Sequence, residues 1–258
     1  MNYWAERLGN SQLKLQDKTI KEINKQFQYL YGRAAKRIIF DFASTYNRLL
    51  ASIEEGKEPT PADLYKLDKY WQMQASLRRE LQKLGDKEIQ ILSKVFETHF
   101  FEVYYGLAIP GATAFTTIDK AAAQQLINSI WVADGKSWSQ RVWDNTERLA
   151  ATLNEELIHI VATGKKNTEL VHVLQDRFNV SYHRAQTLVR TEVAHIQTEA
   201  AKQRYKDYGV QYVEVLVDED DRTCELCKAL NGKKFPVNGV IPLPVHPNER
   251  CCLVPVVD

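Results

Sequence analysis

Cysteine is missing from the first 223 residues of this 258-residue chain, and all four cysteines fall between positions 224 and 252. A secreted disulfide scaffold would spread its cysteines more widely, so this usage points to synthesis in a reducing cytosol. No apolar run reaches the ~18 residues a membrane span needs, and no membrane partner is expected. Met1–Arg7 contains none of the apolar stretch of a secretory signal. Charge of one sign is also missing: the net charge is +1, so nothing global demands nucleic acid. There is no phosphate-binding glycine loop, no nucleophile elbow and no His-Glu-x-x-His, which removes the familiar sequence signs of several enzyme classes. What remains is 44% hydrophobic and 26% charged, an ordinary globular composition with room for one large or two modest domains.

Helical periodicity dominates what is present. Leu13, Ile20, Ile23, Phe27, Leu30 and Tyr31, then Ile38, Phe42, Tyr46 and Leu49, predict one helix from about Trp4 to Ile53. Nine cations lie between Arg7 and Arg48 against Asp17, Glu22 and Asp41. This local basic excess reads either as a solvated face or as a surface for DNA or a protein partner. Gly56, Pro59 and Pro61 break the helix, and Thr60 or Asp63 caps a second block over 62–84 with Leu64, Leu67, Trp71, Leu77 and Leu81 inside. Gly85 is expected to end it. A third helix runs over 87–105, where His99 reads as a core or interface histidine.

Pro110 and Gly111 mark a loop. Asp119 opens a helix through Ile130, and Ser137 or Ser139 opens a long one that Gly164 stops. A short helix over 169–178 and another from Ser181 to about Tyr208 follow. Only then does the pattern change. Gln211–Val217 alternates with period two and reads as a strand. Asn231-Gly232 signals a turn, and 233–237 and 253–257 are short strand candidates, Pro255 confining the last to an edge or an irregular segment. The expected architecture is a mainly α helical body over 1–130, a helical connector over 131–180 and a small α+β C-terminal module over 181–258.

Cys224-x2-Cys227, followed after eighteen residues by His246 and then Cys251, has the donor types and spacing of a tetrahedral zinc site. A structural zinc would turn binding energy into folding energy for a small module. The competing reading is a cysteine-lined hairpin packed without metal, and Cys252 is either a substitute ligand or a core residue. A redox role for Cys224 and Cys227 is disfavoured by the acidic run Asp218–Asp221, which would raise a thiol's pKa. Arg190 and Glu192, with His195 on a neighbouring helical position, suggest a structural network joining the long helix to the hairpin. A hydrolytic acid–base pair of Glu192 and His195 has no second motif behind it.

Leu188-Val189-Arg190-Thr191-Glu192, Asp221–Cys227, Leu230–Phe235 and His246-Pro247-Asn248 with Arg250-Cys251 occur in an order that resembles the C-terminal domain of phage Mu F-like minor head proteins, the head morphogenesis or minor capsid proteins of tailed phages. Upstream, Gly135–Trp143, Asn145, Gly164 and Phe178–Ser181 are similar to the region preceding that domain. One departure stands out: the family ends in His-Pro-x-Cys-Arg-Cys, and here Glu249 occupies the place of its first cysteine. A zinc site would therefore need Cys224, Cys227, His246 and Cys251.

The resemblance implies a virion protein in the capsid interior near the portal, made in the host bacterial cytoplasm. It implies the portal protein as partner, with major capsid or scaffold protein and packaged DNA as further contacts. It implies no enzymatic activity and no catalytic residue. The alternatives are a zinc-stabilised nucleic-acid-binding module, or a thiol-redox or hydrolytic enzyme.

Overall fold

The computed structural model describes residues 3–109, 116–218 and 223–256. It is a mainly α chain with one small antiparallel sheet near the C-terminus. The order is α1 (Tyr3–Ser52), α2 (Pro61–Tyr65), α3 (Asp68–Gly106), α4 (Lys120–Ile127), α5 (Trp138–Ala162), α6 (Asn167–Asp207), β1 (Tyr212–Val217), α7 (Glu225–Leu230), β2 (Lys234–Pro236) and β3 (Cys251–Pro255). The loop expected around Pro110 and Gly111, and most of the acidic run 218–221, lie outside the described residues. The chain forms two compact units. One comprises Met1–Asn24, Ile91–Trp138 and Gln186–Asp258; the other comprises Lys25–Gln90 and Ser139–Ala185.

The second unit is purely helical. Phe27, Tyr31, Ala34, Ile38, Phe42, Tyr46 and Leu49 of α1 are buried at three- and four-residue steps, as are Leu77, Leu81 and Leu84 of α3 and Leu149, Leu153 and Leu157 of α5. Each such side chain contributes about 1.5–3 kcal/mol by leaving water. The expected break at Gly85 does not occur, and α3 runs straight through it. A Cβ at Gly85 would come within 2.4 Å of the Trp143 ring. The glycine therefore serves close approach of an indole to the helix, not termination. Trp71, expected inside, is 59% exposed and donates to the Tyr65 carbonyl at 3.1 Å. Thr60 does cap α2, in a reciprocal capping box with Asp63.

The expected break before Ser181 is also absent. Leu170, Leu174, Phe178, Ser181, Ala185 and Val189 are all buried at steps of four or three, so one stripe continues along α6 without a change of phase. Ser181 is a buried mid-helix residue whose carbonyl accepts from Asn145 Nδ2 at 3.0 Å. The same Asn145 amide donates to the Tyr31 hydroxyl at 3.0 Å, and Tyr31 meets the buried Glu88. This is a polar knot within a largely apolar core. Burial pushes the Glu88 carboxyl up to about 8.

The first unit holds the sheet, in the order β2-β1-β3 with both pairings antiparallel. Pro255 does fall on an edge strand, opposite Val213. Register decides which face each cysteine takes. Leu216 lies opposite Cys252, and Val217 opposite Cys251. Successive residues point to opposite faces, so the two cysteines diverge. Leu216, Cys252 and Val254 pack against Leu13 of α1, where Gly9 leaves room for the Leu216 side chain. Cys252 is thus a core residue. Cys251 takes the other face.

The outer edge of β3 is covered by side chains. Gln12 Nε2 donates to the Leu253 carbonyl at 2.8 Å, and the Tyr205 hydroxyl donates to the same oxygen at 3.0 Å. One turn along α1, Gln16 Nε2 reaches the Glu249 carbonyl at 3.4 Å. An open strand edge is thereby satisfied without a further strand.

Candidate metal centre

Cys224 is the N-cap of α7, and its Sγ accepts from the Cys227 backbone N–H at 3.4 Å. The one short helix therefore brings both thiols of the Cys-x2-Cys pair to one side. The long connection from β2 to β3 returns His246 to the same point. It contains a cis Leu243–Pro244 bond and Asn248 at φ 64, a left-handed conformation that asparagine tolerates. The Asn248 N–H donates to Thr191 Oγ1 at 3.3 Å, which ties this loop to α6.

His246 Nε2 lies 3.2 Å from Cys224 Sγ and 3.1 Å from Cys227 Sγ. Its Nδ1 lies 2.8 Å from the Pro247 carbonyl. A carbonyl oxygen only accepts, so Nδ1 carries a proton, a contact that also raises the His246 pKa; in the neutral ring Nε2 then presents its lone pair to the two sulfurs. That is the tautomer a metal-binding imidazole needs, held by a backbone partner. Around zinc, bond lengths of ~2.3 Å to sulfur and ~2.0–2.1 Å to nitrogen set an S···N edge of about 3.5 Å. The three donors fit such an ion with an opening of a few tenths of an ångström.

The fourth expected donor is placed differently. Cys251 Sγ groups with Cys227 and a Glu249 carboxylate oxygen, each within 4.8 Å of the others, while Cys224, Cys227 and His246 form a separate group on the same criterion. Cys227 belongs to both. Glu249 is only 2% exposed and its carboxylate accepts from the Val245 N–H, closing the turn that carries His246. Burial raises its pKa.

The thiols differ from one another. The Cys227 N–H lowers the pKa of Cys224, where the neighbouring acids led one to expect a rise. Burial pushes Cys227 up to about 11 and Cys252 up to about 12, and raises Cys251 further. Protonated Cys227 and Cys251 are poor nucleophiles, and a bound cation would be needed to hold them as thiolates.

All three donors line a cavity of about 510 Å3, within the range of small-molecule sites. Arg190 of α6 lines it as well, with Arg250 and its two partners, Asp17 at 2.9 Å and Asp218 at 2.9 Å. Glu192 points elsewhere: two residues along a helix turn the side chain to the far side, where it accepts from Trp131 Nε1 at 3.1 Å. His195 stacks on the Trp131 ring and meets Ser129 Oγ at 3.1 Å. Between Arg190 and Glu192, it is Thr191 that bonds the loop. Thr191, Asp17 and the structural part played by Glu249 had no spacing signal; only the opposed charges of Asp17 and Arg250 hinted at a pairing.

Fold and site together define a mainly helical protein whose C-terminal α+β module gathers a Cys/His cluster beside a cavity. Residues 151–253, from within α5 to β3, match the family model described as Phage Mu protein F like protein, so this region is similar to that family. The matched segment contains every donor of the cluster, and it supports a phage head-related structural protein. Neither the curated proteins nor the solved structures gave a match. No helix among the described residues is long and apolar enough to cross a membrane.

Proposed function

We propose that this is a minor structural protein of a tailed-phage head, associated with the portal and acting in procapsid assembly, DNA packaging or DNA delivery. The observation that carries the reading is the Mu F-like match over 151–253. The site chemistry agrees with a structural role. Glu192 and His195 are each engaged with Trp131, and Cys227 and Cys251 are protonated thiols in the metal-free state. We assign no catalytic residue. The Cys224, Cys227 and His246 cluster holds one structural zinc that staples α7 to the loop before β3.

Co-expression with the portal protein of the same phage tests the function. The expected result is co-elution with the portal oligomer, and detection of the protein in purified virions by mass spectrometry. Failure of both would overturn the reading. Tight duplex binding without portal, falling steeply with salt, would instead favour a nucleic-acid-binding protein acting through the exposed cations of α1. Elemental analysis of unchelated protein should find about one zinc per chain.

A further inference from the structure

In the helical unit, four helices each send one polar side chain to the same point: Tyr31 from α1, Glu88 from α3, Asn145 from α5 and Ser181 from α6. The Tyr31 hydroxyl is the hub. It accepts from Asn145 Nδ2 at 3.0 Å, is hydrogen bonded to the Glu88 carboxyl and has the Ser181 side chain beside it. The other Asn145 amide hydrogen goes to the Ser181 carbonyl at 3.0 Å, so both are used. Three oxygens at this junction are left over. Glu88 Oε1, Asn145 Oδ1 and Ser181 Oγ are buried and have no hydrogen-bond partner among the described residues. Glu88 and Ser181 are only 1% and 2% exposed. Each leftover oxygen belongs to a group already at the hub, since the two terminal atoms of a carboxyl or an amide lie only about 2.2 Å apart. A buried polar atom without a partner keeps the full cost of leaving water, and such atoms are rare in folded proteins.

The chemistry of the three oxygens says what pairs them. Ser181 brings a hydroxyl hydrogen that needs an acceptor. Asn145 Oδ1 only accepts. Glu88 Oε1 accepts as a carboxylate and donates as an acid. A ligand for all three must both donate and accept, and must suit either form of Glu88. Water does so, and a buried water typically makes about three hydrogen bonds. A cation suits only the ionised carboxyl, and burial pushes that carboxyl up to about 8. Hard divalent cations also want about six or more oxygens, twice the number available.

We propose that the junction of α1, α3, α5 and α6 is a binding site for one internal water molecule, held by Glu88 Oε1, Asn145 Oδ1 and Ser181 Oγ. The water is a structural ligand that bridges α3, α5 and α6 beside the Tyr31 hub. By turning over in place it lets Glu88 gain or lose its proton without repacking the helices around it. The site is independent of the metal reading, since none of its residues lies in the cysteine cluster.

A crystal structure of the full chain, at a resolution that shows ordered water, is the first test and needs no variant. It should show one density peak about 2.6–3.2 Å from all three oxygens. In solution, oxygen-17 relaxation dispersion counts the water molecules held for longer than the tumbling time of the protein. Glu88→Met puts an apolar chain of similar length in place of the carboxyl, and should lower that count by one. Direct bonds among the three oxygens with no peak between them overturn the proposal, as does a count that folded Glu88→Met leaves unchanged. A cation in place of water also overturns it. Its sign is a Tm that falls for the parent, and not for Glu88→Met, when choline chloride replaces sodium and potassium chloride at equal ionic strength.

Discussion

Glu249 stands where the resemblance leads one to expect a cysteine, and its surroundings give the carboxylate a physical role. Its carboxylate receives the Val245 N–H, its carbonyl receives Gln16, and its side chain lies against Cys251. The residue organises the turn that carries His246. Removing it withdraws none of the three converging donors, yet leaves the part-buried Val245 N–H without its carboxylate partner. Glu249→Ala should therefore weaken zinc binding by roughly 10–100-fold, the usual effect of losing a group that orients a ligand. Competition with a chromogenic chelator measures this, and His246→Ala should cost more. An affinity equal to the parent's would mean that the turn holds His246 without help. At this scale the sequence was legible for donor types and their order. The division of labour between Cys251 and Cys252 was not, because it depends on the β1–β3 register, which places Leu216 opposite Cys252. The partnership of Gln16 with Glu249 joins positions 233 residues apart, and no local pattern carries it.

Helices and strands were legible where one apolar stripe met a capping residue or a glycine of positive φ. α1, α2 with Thr60, β1, and the stops at Gly164 and Gly209 all follow this rule. Reading failed where a local terminator was overridden by packing. Gly85 looked like a helix end and is a seat for Trp143; Ser181 looked like a cap and continues the buried stripe of α6. The longest-range element contact lay beyond any periodicity. Gln12 and Leu13 lie next to each other on α1 yet meet β3 in different ways, one by a hydrogen bond to its edge and one by packing on its face. The C-terminal strands therefore depend on residues at the other end of the chain. A fragment of residues 181–258 should lack cooperative thermal unfolding, with or without one equivalent of zinc, because it exposes the face of Leu216, Cys252 and Val254 and leaves the Leu253 carbonyl with the Tyr205 hydroxyl but without Gln12. A sigmoidal melt of that fragment by circular dichroism, with dispersed amide resonances, would show that α1 is dispensable to the sheet.

Across the whole molecule, burial shifts carboxyls and imidazoles in opposite directions. The helical unit holds Glu88, 1% exposed, with its pKa pushed up to about 8 from 4.5 by burial. The sheet-bearing unit holds His99, lowered to about 3 from 6.5, and His195, lowered to about 4, both by burial first. Linkage gives these shifts opposite signs. A carboxyl with a raised folded pKa keeps the native state protonated, so its contribution is whole below about 4.5 and is lost as pH rises through about 8. The histidines with depressed folded values contribute fully above 6.5 and lose that contribution as pH falls towards 4 and 3. Between 4.5 and 6.5 the two trends oppose each other. Glu88→Gln separates them, since an amide keeps the shape and cannot ionise. The variant should match the parent within a few tenths of a kcal/mol at pH 4.5 and exceed it increasingly up to pH 8, by on the order of a few kcal/mol. The histidine contributions are common to both proteins and cancel in the difference. Urea denaturation of the pair at half-unit steps from pH 4.5 to 8.5 gives that difference directly. A constant offset across the range would mean that Glu88 is already ionised in the native core, with the Tyr31 and Asn145 side chains supplying enough polar support to hold the charge.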